Sequence, residues 1–332
     1  MKAINRYGLL KAIAFMVLVI SLFSCSACDD EPNPPVILTK AIAVIRPATN
    51  VKLNSATIVA TITPNEDDTK VSFETKETST SVWEAHILPT TFSGKDTLKV
   101  TFDFPALKAG TSYDFRIRVI NKGGEAVSDI NSFETYAVTD YDGNMYHTVT
   151  IGNQIWLKEN FKGTHFSNGD PIPNVTDQAA WNKMTTPAYC WYNNDSKNSK
   201  VYGGLYNFYV VSDSRGLLIG YHAPSLNEWI ILSDYLGGAN IAGGKMKESG
   251  YSHWIQPNAG ATNSSGFTSL PGGVHKDTFG NLGDASVFWS TTKFMNMPNA
   301  ASSVDIGETS AFLQLNGGND SNRGFSVRMV KN

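Results

Sequence analysis

Glycine and tryptophan are spread unevenly along this 332-residue chain, and that asymmetry constrains its fold more than any single motif. Only five of 28 glycines precede residue 137, whereas six of seven tryptophans follow it. Glycine supplies the positive-φ conformations that tight turns need and weakens helix and strand interiors. The 195 residues from 138 onward must therefore be built from short elements and many turns around aromatic pegs. A chain of this length suits about two domains of roughly 100–200 residues each. Its 41% hydrophobic and 17% charged composition excludes a disordered polymer.

From about residue 36 to 136 the pattern is that of strands. Residues 56–62 are rich in β-formers, and residues 71–75 and 98–104 alternate. Tyr113, Phe115, Ile117 and Val119 fall on one face, with Asp114, Arg116 and Arg118 on the other. Alternation of this kind, broken at Ala109-Gly110 and Lys122-Gly123-Gly124, predicts about seven short antiparallel strands folded into an all-β sandwich. Beyond 138, Asp140-Tyr141-Asp142-Gly143-Asn144 and Gly152-Asn153 read as hairpin turns. Ser225 followed by Glu228 is a capping box that opens a helix closed by Gly237-Gly238, and residues 205–211 suggest another short helix.

The first 24 residues read as an address. Lys2, Arg6 and Lys11 precede an apolar run over residues 12–23 that only Ser21 interrupts, followed by Ser24 and Cys25. The run is too short to span a hydrocarbon layer of ~30 Å as a stable helix, so residues 1–24 are expected to be an export signal. Residues 25–35, with Asp29, Asp30 and Glu31 followed by Pro32, Pro34 and Pro35, form an acidic, stiff tether. Removing the signal leaves 24 basic against 30 acidic residues, a net charge of −6 where the full chain carries −3. Nucleic acid is thereby excluded as a partner, since binding it requires clustered cations to displace counterions.

Four resemblances add to this reading. Cys25 directly after Leu22-Phe23-Ser24 resembles the lipobox of bacterial lipoproteins, with Cys28 as the alternative. It implies a diacylglycerol on the thiol, a membrane as partner, and a place in the cell envelope on the outer membrane, facing the exterior. Leu107-Lys108-Ala109-Gly110-Thr111-Ser112-Tyr113, with Arg116, Asn121, Gly123 and Gly124, resembles the second half of a fibronectin type III domain over residues 36–136; there Tyr113 would lock a corner through its hydroxyl. Over residues 138–332, ordered blocks resemble the Fibrobacter succinogenes major paralogous domain. They include Ile151-Gly152-Asn153-Gln154 with Trp156, Tyr202-Gly203-Gly204-Leu205-Tyr206-Asn207, Leu270-Pro271-Gly272-Gly273 and Gly324-Phe325-Ser326-Val327-Arg328. The Pro224-Ser225 and Glu228-Trp229 block is also similar to the motif of formylglycine-generating enzymes and C-type lectins, which implies an α+β lectin-like fold.

Chemistry is harder to read. The formylglycine reaction needs two cysteines at one site. Cys25 and Cys28 lie in the tether and Cys190 stands alone, so no enzyme of that type is expected and Cys190 reads as a small buried hydrophobe. At the positions where relatives resemble disulfide-bonded chains, this one carries Leu218-Ile219 and Met329. Six histidines show no zinc spacing. His222 reads as structural, Glu228 as a cap partner, and Ser290 lacks a nucleophile elbow. No cofactor is specified; Ca²⁺ is the candidate, with Asp140, Asp142 and Asn144 or residues 316–322 as oxygen donors. For carbohydrate, Trp254, Gln256 and Asn258 with Asn263 resemble a lectin sugar loop, and Trp191, Asn193 and Asp195 form a comparable set. The expectation is a non-catalytic receptor for a glycan or a surface protein. A hydrolase or oxidase on the same fold, with a pocket at His222 or His253, and a structural subunit of a surface assembly are the alternatives.

Overall fold

The computed structural model describes residues 38–294, 297 and 299–332. The export signal, Cys25, Cys28 and the whole tether lie outside the described residues. Among those described, no helix is long and apolar enough to cross a membrane.

Alternation in the first segment becomes two sheets. Strands Ile42–Ile45, Ala56–Thr63 and Leu98–Phe104 pair in that order. The facing sheet orders Glu84–Ile87, Lys70–Glu77, Ser112–Asn121 and Gly124–Val127, with Asn131–Glu134 also pairing with Ser112–Asn121. Ile58, Ala60 and Ile62 from one sheet meet Phe73, Phe115, Ile117 and Val119 from the other in one buried core, because a period of two sends alternate side chains to the same face. The hydroxyl of Tyr113 accepts a hydrogen bond from the Lys108 amide at 2.9 Å, the corner expected for that residue. Trp83 stays outside this core, with the guanidinium of Arg116 4.2 Å from its ring centre.

In the second segment the capping box forms as expected, with the Ser225 hydroxyl and Glu228 satisfying each other's backbone amides. The helix Leu226–Tyr235 buries Trp229 and Leu232 against Trp156, Phe267 and Phe288. One expectation fails locally. Residues 205–211 are not one helix: Leu205–Tyr206 pairs as strand with Tyr189–Cys190, and only Phe208–Val211 is helical because Asn207 caps it. A second helix, Ala239–Met246, follows Gly238. Its Gly243 lies so close to Phe312 that a Cβ there would sit 2.7 Å from that carbonyl oxygen, so two glycines inside a helix mark close packing rather than a turn.

The chain closes on itself through its last strand. Val330 pairs with both Trp156 and His222, inside the four-stranded sheet Thr148–Ile151, Gln154–Leu157, Val330–Lys331, Tyr221–His222. Beside it, Arg328 is fully buried. Its guanidinium donates to Asn160 Oδ1 at 2.8 Å and to the carbonyls of Leu157 at 3.0 Å, Phe267 at 2.7 Å and Lys158, and it lies 4.3 Å from the Phe267 ring centre. Leu218 and Met329 are buried in the same core, apolar packing where relatives were expected to carry cysteines, while Ile219 is exposed.

Sandwich and second segment join without a spacer. Ala137 donates to the Tyr146 carbonyl, Tyr136 packs on His147 with ring centres 4.0 Å apart, and Lys158 pairs with Glu134 at 2.5 Å. Replacing Arg328 by Met would leave four buried acceptors unpaired, at about 1–3 kcal/mol each. Arg328→Met is expected to cost about 3 kcal/mol or more in urea denaturation followed by tryptophan fluorescence, which reports on this segment because it holds six of the seven indoles.

Candidate functional site

One open polar cleft in the second segment is made by residues far apart in sequence. Asp177 caps the short helix Gln178–Trp181 by accepting from the Ala180 amide. The fully buried Trp181 pegs that helix down, which leaves Asn182, Lys183 and Thr185 on the rim. The opposite wall comes from the end of strand Leu313–Asp320 and the turn after it, with Asp320, Ser321 and Asn322. Tyr209, from helix Phe208–Val211, and Asn299 complete a cavity of about 470 Å³. Asn322 Nδ2 donates to the Asn182 carbonyl at 2.8 Å, and the Ser321 amide donates to the Asn299 carbonyl at 2.8 Å, so the walls are tied by hydrogen bonds rather than apolar packing. Arg323 braces one end between Asp320 at 3.1 Å and Asp277 at 3.3 Å.

The sugar loop read from sequence is not built for that role. Trp254 is 1% exposed and donates its indole N–H to the Ser269 carbonyl, so its face cannot cover a sugar. Asn258 is buried and spends its amide on the carbonyls of Glu248 and Gly250. Asn263 bonds Thr268 through both ends of its amide. Gln256 alone of the set is exposed. These residues shape the loop, which is anchored by Lys247, itself fully buried, with Nζ 2.9–3.0 Å from the carbonyls of Ala259, Gly307 and Ser310. In the other set, Trp191 packs against the core and edge-on to Tyr189, and Asp195 caps the turn Ser196–Asn198; Asn193 is exposed. Neither set converges on a cavity.

The candidate calcium donors are also engaged elsewhere. Asp140 accepts from the Asn144 amide and side chain and from the Tyr146 hydroxyl, while Asp142 accepts from Thr164 and sits beside His165. Residues 316–320 are strand, not a ligand loop. Among the described residues, no group of three or more His, Cys, Asp or Glu side chains is disposed to hold a metal ion.

Two histidine–carboxylate pairs of the second segment lie away from the clefts, whereas in the sandwich Lys108 with Glu77, 2.6 Å apart, and His86 with Glu84 line one. His222 meets Glu228 at 2.7 Å and His253 meets Glu248 at 2.9 Å; neither histidine lines any of the five leading clefts among the described residues. Burial pushes Glu228 up, but hydrogen bonds from Ser225 and His222 outweigh it and hold the carboxyl below its usual range. Sequence inspection missed one pair: Cys190 Sγ lies 3.4 Å from His275 Nδ1. Both side chains are buried, with His275 between Trp181 and Phe279. Burial raises the Cys190 thiol far above its ordinary value and pulls His275 down to about 4. The pair is therefore neutral, with no thiolate for nucleophilic attack. A histidine with a folded pKa near 4 and an unfolded value near 6.5 opposes folding once protons must be bound. Its stabilising neutrality is complete above pH 6.5 and is lost as pH falls toward 4. Stability should drop by on the order of 2–3 kcal/mol between pH 6.5 and 4.5, and His275→Phe should flatten that slope in denaturation measured across the window.

Comparison with known proteins supplies the remaining context. No curated protein sequence matches the chain. Among solved structures, the sensor domain of the anti-sigma factor RsgI4 from Pseudobacteroides cellulosolvens is 24% identical, covers 30% of this chain and 99% of its own, and has a TM-score of 0.25. The fibronectin type III domain of human fibronectin type III domain containing protein 3 is 18% identical, covers 30% of this chain and 87% of its own, with a TM-score of 0.23. The fourth fibronectin type III domain of a human protein is 23% identical over 36% of this chain and 90% of its own, with a TM-score of 0.22. Residues 149–331, more than half of the chain, match the model of the Fibrobacter succinogenes major domain, and the protein belongs to that family.

Proposed function

We propose that this protein is a lipid-anchored receptor of the bacterial envelope, in which a lectin-like α+β segment, carried on the fibronectin type III-like sandwich, binds a glycan without turning it over. The observation that carries this reading is the cleft between Asn182 and Asn322. Its lining of asparagine amides, a phenol and hydroxyls over about 470 Å³, with one ammonium from Lys183 and one carboxylate from Asp320, offers more neutral hydrogen-bonding groups than titratable ones. Planar amides suit the hydroxyls of a pyranose, which donate and accept in turn, and Tyr209 supplies an aromatic ring for the sugar's apolar face. Acid–base chemistry would instead call for paired groups with opposed pKa shifts facing one cavity.

The anchor follows from Cys25, whose acyl chains at roughly 0.8 kcal/mol per buried CH₂ would hold the chain on a membrane. Two measurements test the two halves. Mass spectrometry of the mature protein is expected to find diacylglycerol on Cys25, and an unmodified cytosolic chain would refute the anchor. On a glycan array, the full chain is expected to retain a small set of saccharides equally with calcium and with chelator, and Asn182→Ala or Asn322→Ala should weaken retention about three- to tenfold, the range of one hydrogen bond. Retention unchanged by both substitutions would refute the cleft.

A further inference from the structure

The buried Cys190–His275 pair does not end at the imidazole. His275 Nε2 lies 2.9 Å from Gln178 Oε1, and the other end of that amide, Nε2, donates to Asn182 Oδ1 at 2.7 Å and to the Lys276 carbonyl at 3.2 Å. Each link dictates the next. The Gln178 nitrogen is committed to two acceptors, so its oxygen must accept, and His275 must carry its proton on Nε2. Nδ1 is then an acceptor and is satisfied by the Cys190 S–H. The chain runs from the floor of a hydrophobic cluster to a residue on the rim of the cleft.

We infer that this chain of hydrogen bonds orients the Asn182 side chain, with Oδ1 held inward and Nδ2 turned to the cleft, so that this wall is a hydrogen-bond donor and the ligand is a saccharide that presents a hydroxyl oxygen there. The ligand class rests on the glycan reading above; the orientation does not. Cys190 and His275 are then positioning residues, and Gln178 sets the polarity of the wall. An asparagine left free could rotate to offer either end, so a fixed amide narrows the set of hydroxyl arrangements that fit.

Gln178→Glu separates the two claims. The carboxylate still accepts from His275 Nε2–H but has no proton to donate, so Asn182 must turn Nδ2 inward and present Oδ1; an acid in the first turn of a helix is tolerated. In nitrogen NMR of the ligand-free full chain, wild type is expected to show His275 as the Nε2–H tautomer from pH 5 to 8. The Asn182 Nδ2 protons should exchange fast with water in wild type and slowly in the variant. A Nδ1–H tautomer, or identical Asn182 exchange in both proteins, would overturn the orientation. Titration with methyl mannoside, methyl galactoside and their 2-deoxy forms is then expected to show a roughly three- to tenfold affinity loss in the variant, the range of one hydrogen bond. The expected NMR signatures with no affinity change would overturn the donor role of Asn182 toward the ligand. The same signatures with no saccharide bound by either protein would overturn the glycan reading while leaving the orientation in place.

Discussion

A guanidinium without a carboxylate partner in direct contact holds the second segment together. Arg328 sits fully buried near the C-terminus, and its donors reach backbone carbonyls and a side chain from residues 157–160 and 267. Taking a cation out of water costs several kcal/mol unless every donor finds an acceptor. Here the acceptors are backbone carbonyls and one asparagine amide oxygen, so the charge is compensated only if three distant stretches arrive together. That requirement gives a turn-rich chain what regular elements would otherwise supply: a single arrangement satisfies it, and partly formed alternatives leave a charge stranded. Lys247 repeats the device with three carbonyls under the loop that sequence suggested for sugar binding.

This use of buried cations explains what was legible in the sequence and what was not. Positions 113, 115, 117 and 119 announced their inward face because strand periodicity is local, and Ser225 with Glu228 announced a helix start because a capping box is closed within four residues. The Asp140–Asn144 turn was legible for the same reason. Arg328 and Lys247 were not, since a charge in sequence is read as solvent-facing and only distant carbonyls reveal otherwise. Trp254 failed in the opposite direction. Amid asparagines and glycines its indole suggested a binding platform, yet its N–H has a carbonyl partner in the core.

The cleft was equally hidden, because its walls come from residues 182–185, 209, 299 and 320–322, and no window of sequence contains them together. Residues 316–322 had drawn notice for their oxygen donors, and three of the lining residues, Asp320, Ser321 and Asn322, come from there. What converted them from metal-ligand candidates to a cleft wall was the extended conformation of residues 313–320, which spaces successive side chains on opposite faces instead of curling them around an ion. The buried cations and the cleft thus rest on one logic, in which polar groups are held by partners distant in sequence.

Backbone and side-chain amide mapping of the full chain, titrated with neutral hexoses and N-acetylhexosamines, tests the central claim most directly. Shifts concentrated at Asn182, Thr185, Ser321 and Asn322 are the predicted result. Shifts confined to Gln256 or Asn193, with the cleft silent, would contradict the account.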